Sequence, residues 1–277
     1  MKYCKNGYKV LLMGGLGNQF FQIARAIELM DRCPDVELVF ISPRLDIFYR
    51  LTGHTKHDQW LDIGNLASNL KINYRSISIS EFLFLGFKFV LKKLGLISSF
   101  NIELDSLSDY KKQNSVLWDI GYFQSIKHVS SKSVNKVANG LIDLLFIDKT
   151  PTKDLSVFHI RGGDFINRES EYKITTDDIK NAVASTKNNK IFVATNDINF
   201  SNKIFRTLNI DFEISSLSPK DDFITIATAK NVFVSNSSYA FWAALCAKHA
   251  HRSNIFSLIS WPYTDFLSTL SLNADKM

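Results

Sequence analysis

The feature that most restricts what this chain can fold into is the alternation of short apolar runs with helical segments after the break Lys149-Thr-Pro-Thr-Lys. Leu155 to Ile160, Ile191 to Ala194, Asn231 to Val234 and Ile255 to Ile259 fit buried strands. Between and after them, Thr176 to Ser185, Phe200 to Leu208, Pro219 to Lys230 and Tyr239 to Lys248 read as helices. Ser218 supplies an N-cap and Pro219 the first helical residue of the third. Strand and helix in regular succession build a parallel, doubly wound sheet.

The first half is less regular. It opens with a strand, Lys9 to Met13, then a Gly-rich turn, then a helix from Gln19 to Met30 whose Phe20, Ile23, Ala24 and Ile27 recur at spacings of three and four. Val36 to Ile41 reads as a strand, and His54 to Phe100 shows no clear period. At 277 residues the chain suits two α/β lobes, 1–150 and 151–277.

Bulk properties exclude several classes. With 45% hydrophobic and 22% charged residues the chain is globular rather than disordered. The net charge of +6 suits phosphate-bearing ligands or an anionic surface, but the basic residues are scattered rather than interleaved with aromatics, which argues against nucleic acid. Cys4, Cys33 and Cys246 are odd in number and lack CxxC spacing, so a reducing, cytoplasmic setting is expected. The apolar run Val10 to Met13 is too short for a signal peptide, and Phe82 to Leu91 is half the length that crosses a bilayer. Followed by Lys92 and Lys93, that second run fits either a core helix with one solvated edge or a basic segment lying peripherally on a membrane.

In a parallel sheet all strands point their carboxyl ends to one edge, where ligands bind. The segments just past the expected strands are Gly14-Gly-Leu-Gly-Asn-Gln, His159-Ile-Arg-Gly-Gly-Asp, Thr195-Asn-Asp and Ser235-Asn-Ser-Ser. Their glycines, amides and hydroxyls read together as an anion-binding pocket. Gly14, Gly15 and Gly17 permit positive φ and close approach of a ligand ahead of a helix N-terminus. The spacing is neither a dinucleotide fingerprint, since position 20 is Phe, nor a P-loop. Arg161 offers a planar fork of donors to a phosphate, against the plainer reading of an ion pair with Asp164. Asp197 is placed to accept from a guanine or a ribose hydroxyl, and His159 taken alone reads as a core histidine. No metal site is expected: His54 with His57, and Cys246 with His249 and His251, lack four convergent ligands, and the chain has no Asp-x-Asp.

Taken in order, Gly15-Leu-Gly-Asn-Gln-Phe-Phe-Gln, His159-Ile-Arg-Gly-Gly-Asp, Phe192-Val-Ala-Thr-Asn-Asp and Val234-Ser-Asn-Ser-Ser-Tyr-Ala-Phe-Trp-Ala resemble the α-1,2-fucosyltransferases of glycosyltransferase family eleven. The resemblance implies a GT-B-like α/β fold, two Rossmann-like lobes with parallel sheets facing a central cleft. It also implies GDP-fucose as donor, bound mainly by the C-terminal lobe, an acceptor-side N-terminal lobe, and no metal. Fucose then moves with inversion, usually to the 2-hydroxyl of a galactose in a glycan such as an O-antigen repeat, free or lipid-linked. By the same resemblance His159 and Asp197 recognise guanosine, Arg161 holds the diphosphate, and Gly15, Gly17, Asn18, Ser237 and Ser238 line the phosphates or the sugar. The chain departs from the family at Gly162, where a second arginine is usual, and at Phe165, where tyrosine is common.

An inverting displacement needs a partner for the leaving diphosphate, which is Arg161, and a group to receive the acceptor proton, for which Asp164 and then Glu169 are the candidates. Rival readings are a fucosyltransferase of other linkage, another nucleotide-binding α/β enzyme such as an oxidoreductase, and a non-catalytic phosphate- or glycan-binding module.

Overall fold

The computed structural model describes residues 7–41, 61–93, 117–124, 126–147, 152–162, 174–186, 189–258 and 275–276. The chain divides into two compact units, Met1–Val137 and Ala138–Met277, so the division falls ahead of the break near Thr150.

In the first unit the sheet order is β3-β2-β1-β4, formed by β1 (Tyr8–Leu12), β2 (Val36–Phe40), β3 (Asn73–Ser76) and β4 (Leu117–Asp119), with every pair parallel. Helices α1 (Leu16–Met30), α2 (Ile63–Asn69) and α3 (Ile79–Lys93) accompany it, and α4 (Ser131–Leu144) runs across the division at Val137. Alternation along the strands sends Leu11, Val39 and Ile120 to one face, where Leu85 and Phe82 of α3 pack. The aromatic and aliphatic stripe of α1, with Phe20, Phe21, Ile23 and Ile27, is buried. Glu81 ties α3 to the sheet: it accepts from Lys9 of β1 at 2.6 Å and from Arg75 of β3 at 2.8 Å, while Arg75 also reaches Glu37 of β2.

The second unit has the sheet order β10-β9-β8-β5-β6-β7, again wholly parallel. Its strands are β5 (Thr152–Ile160), β6 (Lys190–Thr195), β7 (Glu213–Ile214), β8 (Ala229–Val234), β9 (Asn254–Ser257) and β10 (Asp275–Lys276). The helices are α5 (Thr176–Ala184), α6 (Ile198–Thr207), α7 (Pro219–Thr228) and α8 (Ser238–His251). Phe158, Phe233 and Phe256 are in register on β5, β8 and β9. Their rings stack at centroid separations of 4.3 and 4.7 Å, a column that locks the pairing of the three central strands. Ile179, Ile204 and Phe205 from α5 and α6 cover it. Helix α8 is apolar on almost every side and correspondingly buried from Ala240 to Ala247. Ser218 caps α7 by accepting from the Asp221 amide at 3.2 Å, with Pro219 at the first position, as its sequence requires. Two all-parallel α/β units are what the GT-B expectation asks of its lobes.

The Arg75 hydrogen bond holds the Glu81 carboxyl well below the usual carboxylate range. Because the folded state depresses this group, its stabilisation is present above the unfolded value of 4.5 and is lost as pH falls below it. Glu81→Gln is expected to lower the melting temperature by a few degrees at pH 7, with the deficit narrowing as pH drops through 4 in a thermal unfolding series. A deficit independent of pH would contradict the assignment.

Candidate active site

Each sheet reverses its strand order once beside its first strand. In the second unit the chain runs β5, β6, β7 outward on one side and then crosses to β8 on the other, so the crevice outside the carboxyl ends of β5 and β8 is the topological switch point. Three of the candidate segments meet at that edge: His159 to Gly162 at the end of β5, Thr195 to Asp197 at the end of β6, and Ser235 to Ser238 after β8.

Ser235 joins the first to the third. Its side chain is buried, and its Oγ accepts the Arg161 backbone N–H at 3.0 Å while lying 3.1 Å from His159 Nδ1 in a second hydrogen bond. On the other flank Asn196 Oδ1 accepts the Gly162 N–H at 2.9 Å. The backbone on both sides of Arg161 is therefore pinned to neighbouring strands, and its guanidinium starts from a fixed Cα. Such pre-organisation reduces the entropy lost when a side chain engages a ligand.

His159 is almost fully buried, and burial, followed by the neighbouring Arg161 charge, pushes its pKa down to about 3. The ring is therefore neutral at physiological pH and adds no charge beside Arg161. Tyr239 of α8 covers it with ring centroids 5.8 Å apart, and the Tyr239 hydroxyl donates to the Pro219 carbonyl.

Asp197 is the N-cap of α6: its Oδ1 accepts the Phe200 N–H at 3.0 Å, and its own N–H donates to Thr195 Oγ1 at 3.0 Å. Its side chain also explains Gly162. A Cβ at position 162 would lie 2.5 Å from Asp197 Cβ and 3.1 Å from Oδ2, closer than carbon atoms pack. While Asp197 caps α6 in this position, residue 162 has no room for the second arginine of the family pattern.

The three serines after β8 divide their work. Ser235 holds Arg161 and His159, Ser237 is the N-cap of α8 with Oγ accepting from the Ala240 amide at 3.4 Å, and Ser238 is the first helical residue. The start of α8 thus lies next to the Arg161 turn, and helix N-terminal amides favour an anion.

The glycine turn belongs to the first unit and sits at that sheet's own switch point, between the carboxyl ends of β1 and β4. Of its three glycines only Gly14 takes a left-handed φ, +74°; Gly15 is the N-cap of α1 with φ −69°, and Gly17 lies within the first helical turn. The conformational freedom expected at all three positions is used at one. Gln22 bridges the two strand ends, accepting from the Met13 N–H and donating to the Gly121 carbonyl, each at 2.9 Å. Gln19 donates to the Gly14 carbonyl at 2.9 Å, and Gln124 donates to Asn18 Oδ1 at 2.6 Å. One turn further along α1, Arg25 forms a buried ion pair with Asp119 at 2.8 Å and donates to the His128 carbonyl.

Asp164, Glu169 and Phe165, like Cys4, His54 and His57, lie outside the described residues. Among the described residues no group of three His, Cys, Asp or Glu side chains is placed to hold a metal ion. Cys246 is a packing thiol: it is buried, and its Sγ lies 3.7 Å from the Ala138 carbonyl oxygen. Sequence reasoning includes Ser235, Asn196 and Gln22 in its motifs without giving any of them a role of its own, and it passes over the Arg25–Asp119 pair. For Arg25 and Asp119 the signal is present, a charge of each sign embedded in an apolar run.

Ser235→Ala would leave the Arg161 amide and the His159 ring without their shared partner in a buried place, a loss of about 1–3 kcal/mol. Chemical denaturation is expected to show that loss, and wild-type stability would contradict the bridging role.

No curated protein matches the sequence. Among solved structures, similarity is found to the fucosyltransferase NodZ from Bradyrhizobium, with 11% identity, 86% of this chain and 91% of that one covered, and a TM-score of 0.42. POFUT1 in complex with GDP-fucose has 13% identity, 90% and 96% coverage and a TM-score of 0.41. The E. coli heptosyltransferase WaaC with ADP-2-deoxy-2-fluoro heptose has 9% identity, 91% and 88% coverage and a TM-score of 0.41. Likenesses this distant carry no weight for function. The family model for glycosyl transferase family 11 matches residues 100–268, well over half of the chain and all three segments that meet at the β5–β8 crevice. The chain belongs to glycosyl transferase family 11, the fucosyltransferase family that its motifs resemble.

Proposed function

We propose that the protein transfers L-fucose from GDP-fucose, with inversion and without a divalent metal, to the 2-hydroxyl of a galactose in a glycan such as an O-antigen repeat. The observation that carries this reading is the pinned Arg161 turn beside the start of α8, at the switch point of the second unit. In this reading that unit binds the donor, and the first unit serves the acceptor. Arg161 and the first amides of α8 take the diphosphate, with Ser237 and Ser238, and His159 and Asp197 serve the guanosine. Within the first unit, Gly15, Gly17 and Asn18 at the glycine turn offer backbone and side-chain amides to a sugar or a phosphate. The buried free thiols Cys33 and Cys246 agree with a cytoplasmic setting.

The acceptor oxygen bonds to the anomeric carbon, the bond from that carbon to the phosphate oxygen breaks, and its electron pair leaves with GDP. The acceptor proton passes to Asp164 or Glu169. As charge grows on the departing diphosphate, Arg161 stabilises it from a position fixed before the reaction, so that stabilisation costs little reorganisation. The absence of Asp-x-Asp from the sequence supports a mechanism in which side chains and amides, rather than a carboxylate-held cation, meet that charge. A fucosyltransferase of other linkage remains the alternative for the acceptor side. Family membership leaves the oxidoreductase and non-catalytic readings without support.

Two outcomes are expected when GDP-fucose is incubated with a panel of galactose-terminated acceptors. Product carries an α-1,2 linkage, and EDTA leaves the rate unchanged; an absolute need for a divalent ion would contradict the mechanism. Arg161→Ala is expected to lower turnover by about 10²–10³, the scale of a lost transition-state donor. Near-normal turnover in that variant would remove Arg161 from the role.

A further inference from the structure

Helix α3 carries a feature that transfer chemistry does not use. At a helical spacing of about 100° per residue, Ile79, Leu83, Phe87 and Val90 fall on one side of it, with Phe84 at the margin. All five are exposed, Leu83 and Phe87 by 64% and 63%. The opposite side, with Phe82 and Leu85, is the one that packs on the first sheet. The solvated edge that a core helix would show is therefore apolar. Monomeric proteins seldom expose contiguous large side chains in this way without a surface to cover them.

The charges say what kind of surface. Glu81 is the sole acid of α3, and it is engaged by Lys9 and Arg75 on the sheet side. The exposed face thus lacks a carboxylate, its one polar member being Ser80. Lys88 borders it, Nζ lying 4.6 Å from the centroid of the Phe84 ring, so its cation rides at the edge of the apolar stripe. Lys92 and Lys93 close the helix in sequence, and the whole chain carries +6. An apolar stripe bordered by Lys88, on a helix whose one acid is already paired, matches an anionic lipid surface. It does not match a second copy of the same basic chain, which would set cation against cation.

We propose that the exposed face of α3 docks the protein on an anionic bilayer, burying Ile79, Leu83, Phe87 and Val90 at the level of the acyl boundary with Lys88 among the headgroups. This does not depend on the sugar or linkage transferred.

The test is co-sedimentation of the protein with vesicles of phosphatidylcholine alone or of phosphatidylcholine mixed with anionic phosphatidylglycerol, at low and high salt. Sedimentation with the anionic vesicles that weakens with salt is expected, as is loss of more than about tenfold in partitioning for Leu83→Ser with Phe87→Ser. Lys88→Gln is expected to weaken it about fivefold. Because these side chains are exposed, the variants should retain the wild-type melting temperature. Failure to sediment with either vesicle overturns the proposal, as does equal binding to both. A wild-type dimer that the double serine variant converts to monomer, with no vesicle binding, would assign the face to a second copy instead. None of these readouts uses fucose transfer, so failure here and failure of the catalytic reading are separable.

Discussion

The hydroxyl of Ser235 is the interaction on which the site in the second unit depends. It fastens the end of β5 to the end of β8 where the sheet changes direction, and it does so through the Arg161 amide and the His159 ring together. Without it the two strands would still pair, since the phenylalanine column and the ladder hold them. The segment carrying the guanidinium would then be an ordinary loop. A buried hydrogen bond of this kind adds modestly to stability. Its larger effect is to fix the backbone from which the Arg161 side chain extends.

Around that point the sequence places small residues where large ones cannot fit. Gly162 is dictated by the Asp197 side chain pressed against it, and Asp197 is held there by capping α6. The departure from the family's double-arginine pattern is thus coupled to a helix cap from the adjacent strand. With a neutral His159 beneath, the positive charge of this segment is concentrated on Arg161, backed by the first amides of α8. The glycine turn of the first unit is built on the same plan by different means: side-chain amides of Gln22 and Gln19 do there what hydroxyl and Asn196 do in the second.

How much of this is legible in the sequence depends on the range of each interaction. From β5 to β9 the expected strands and helices fall within three residues of the observed ends, because apolar runs and caps such as Ser218-Pro219 are local signals; the exception is the two-residue β7, which is too short to show a period. The edge at which the site forms follows from parallel pairing alone. By contrast β3, a four-residue strand in which Asn73, Arg75 and Ser76 are polar and no residue is buried, and β4, three residues ending in Asp119, carry no period to detect. Helix α4 escapes the pattern reading although Val134, Val137, Ala138 and Leu141 are spaced for it, since Asn135, Asn139 and Gly140 dilute the signal. The roles of Ser235 and Gln22 rest on hydrogen bonds to residues more than 70 positions away, which no local pattern encodes. The run Phe82 to Leu91 shows the limit from the other side: its composition marks it as unusual, and only the packing of Leu85 inward and Phe87 outward shows which face is left over.

The position of the bound nucleotide decides whether Arg161 has the role given to it. A crystal of the protein soaked in guanosine diphosphate measures that directly. The phosphates are predicted to lie within hydrogen-bonding distance of the Arg161 guanidinium and the first amides of α8. An empty Arg161 turn with the nucleotide bound elsewhere would contradict it.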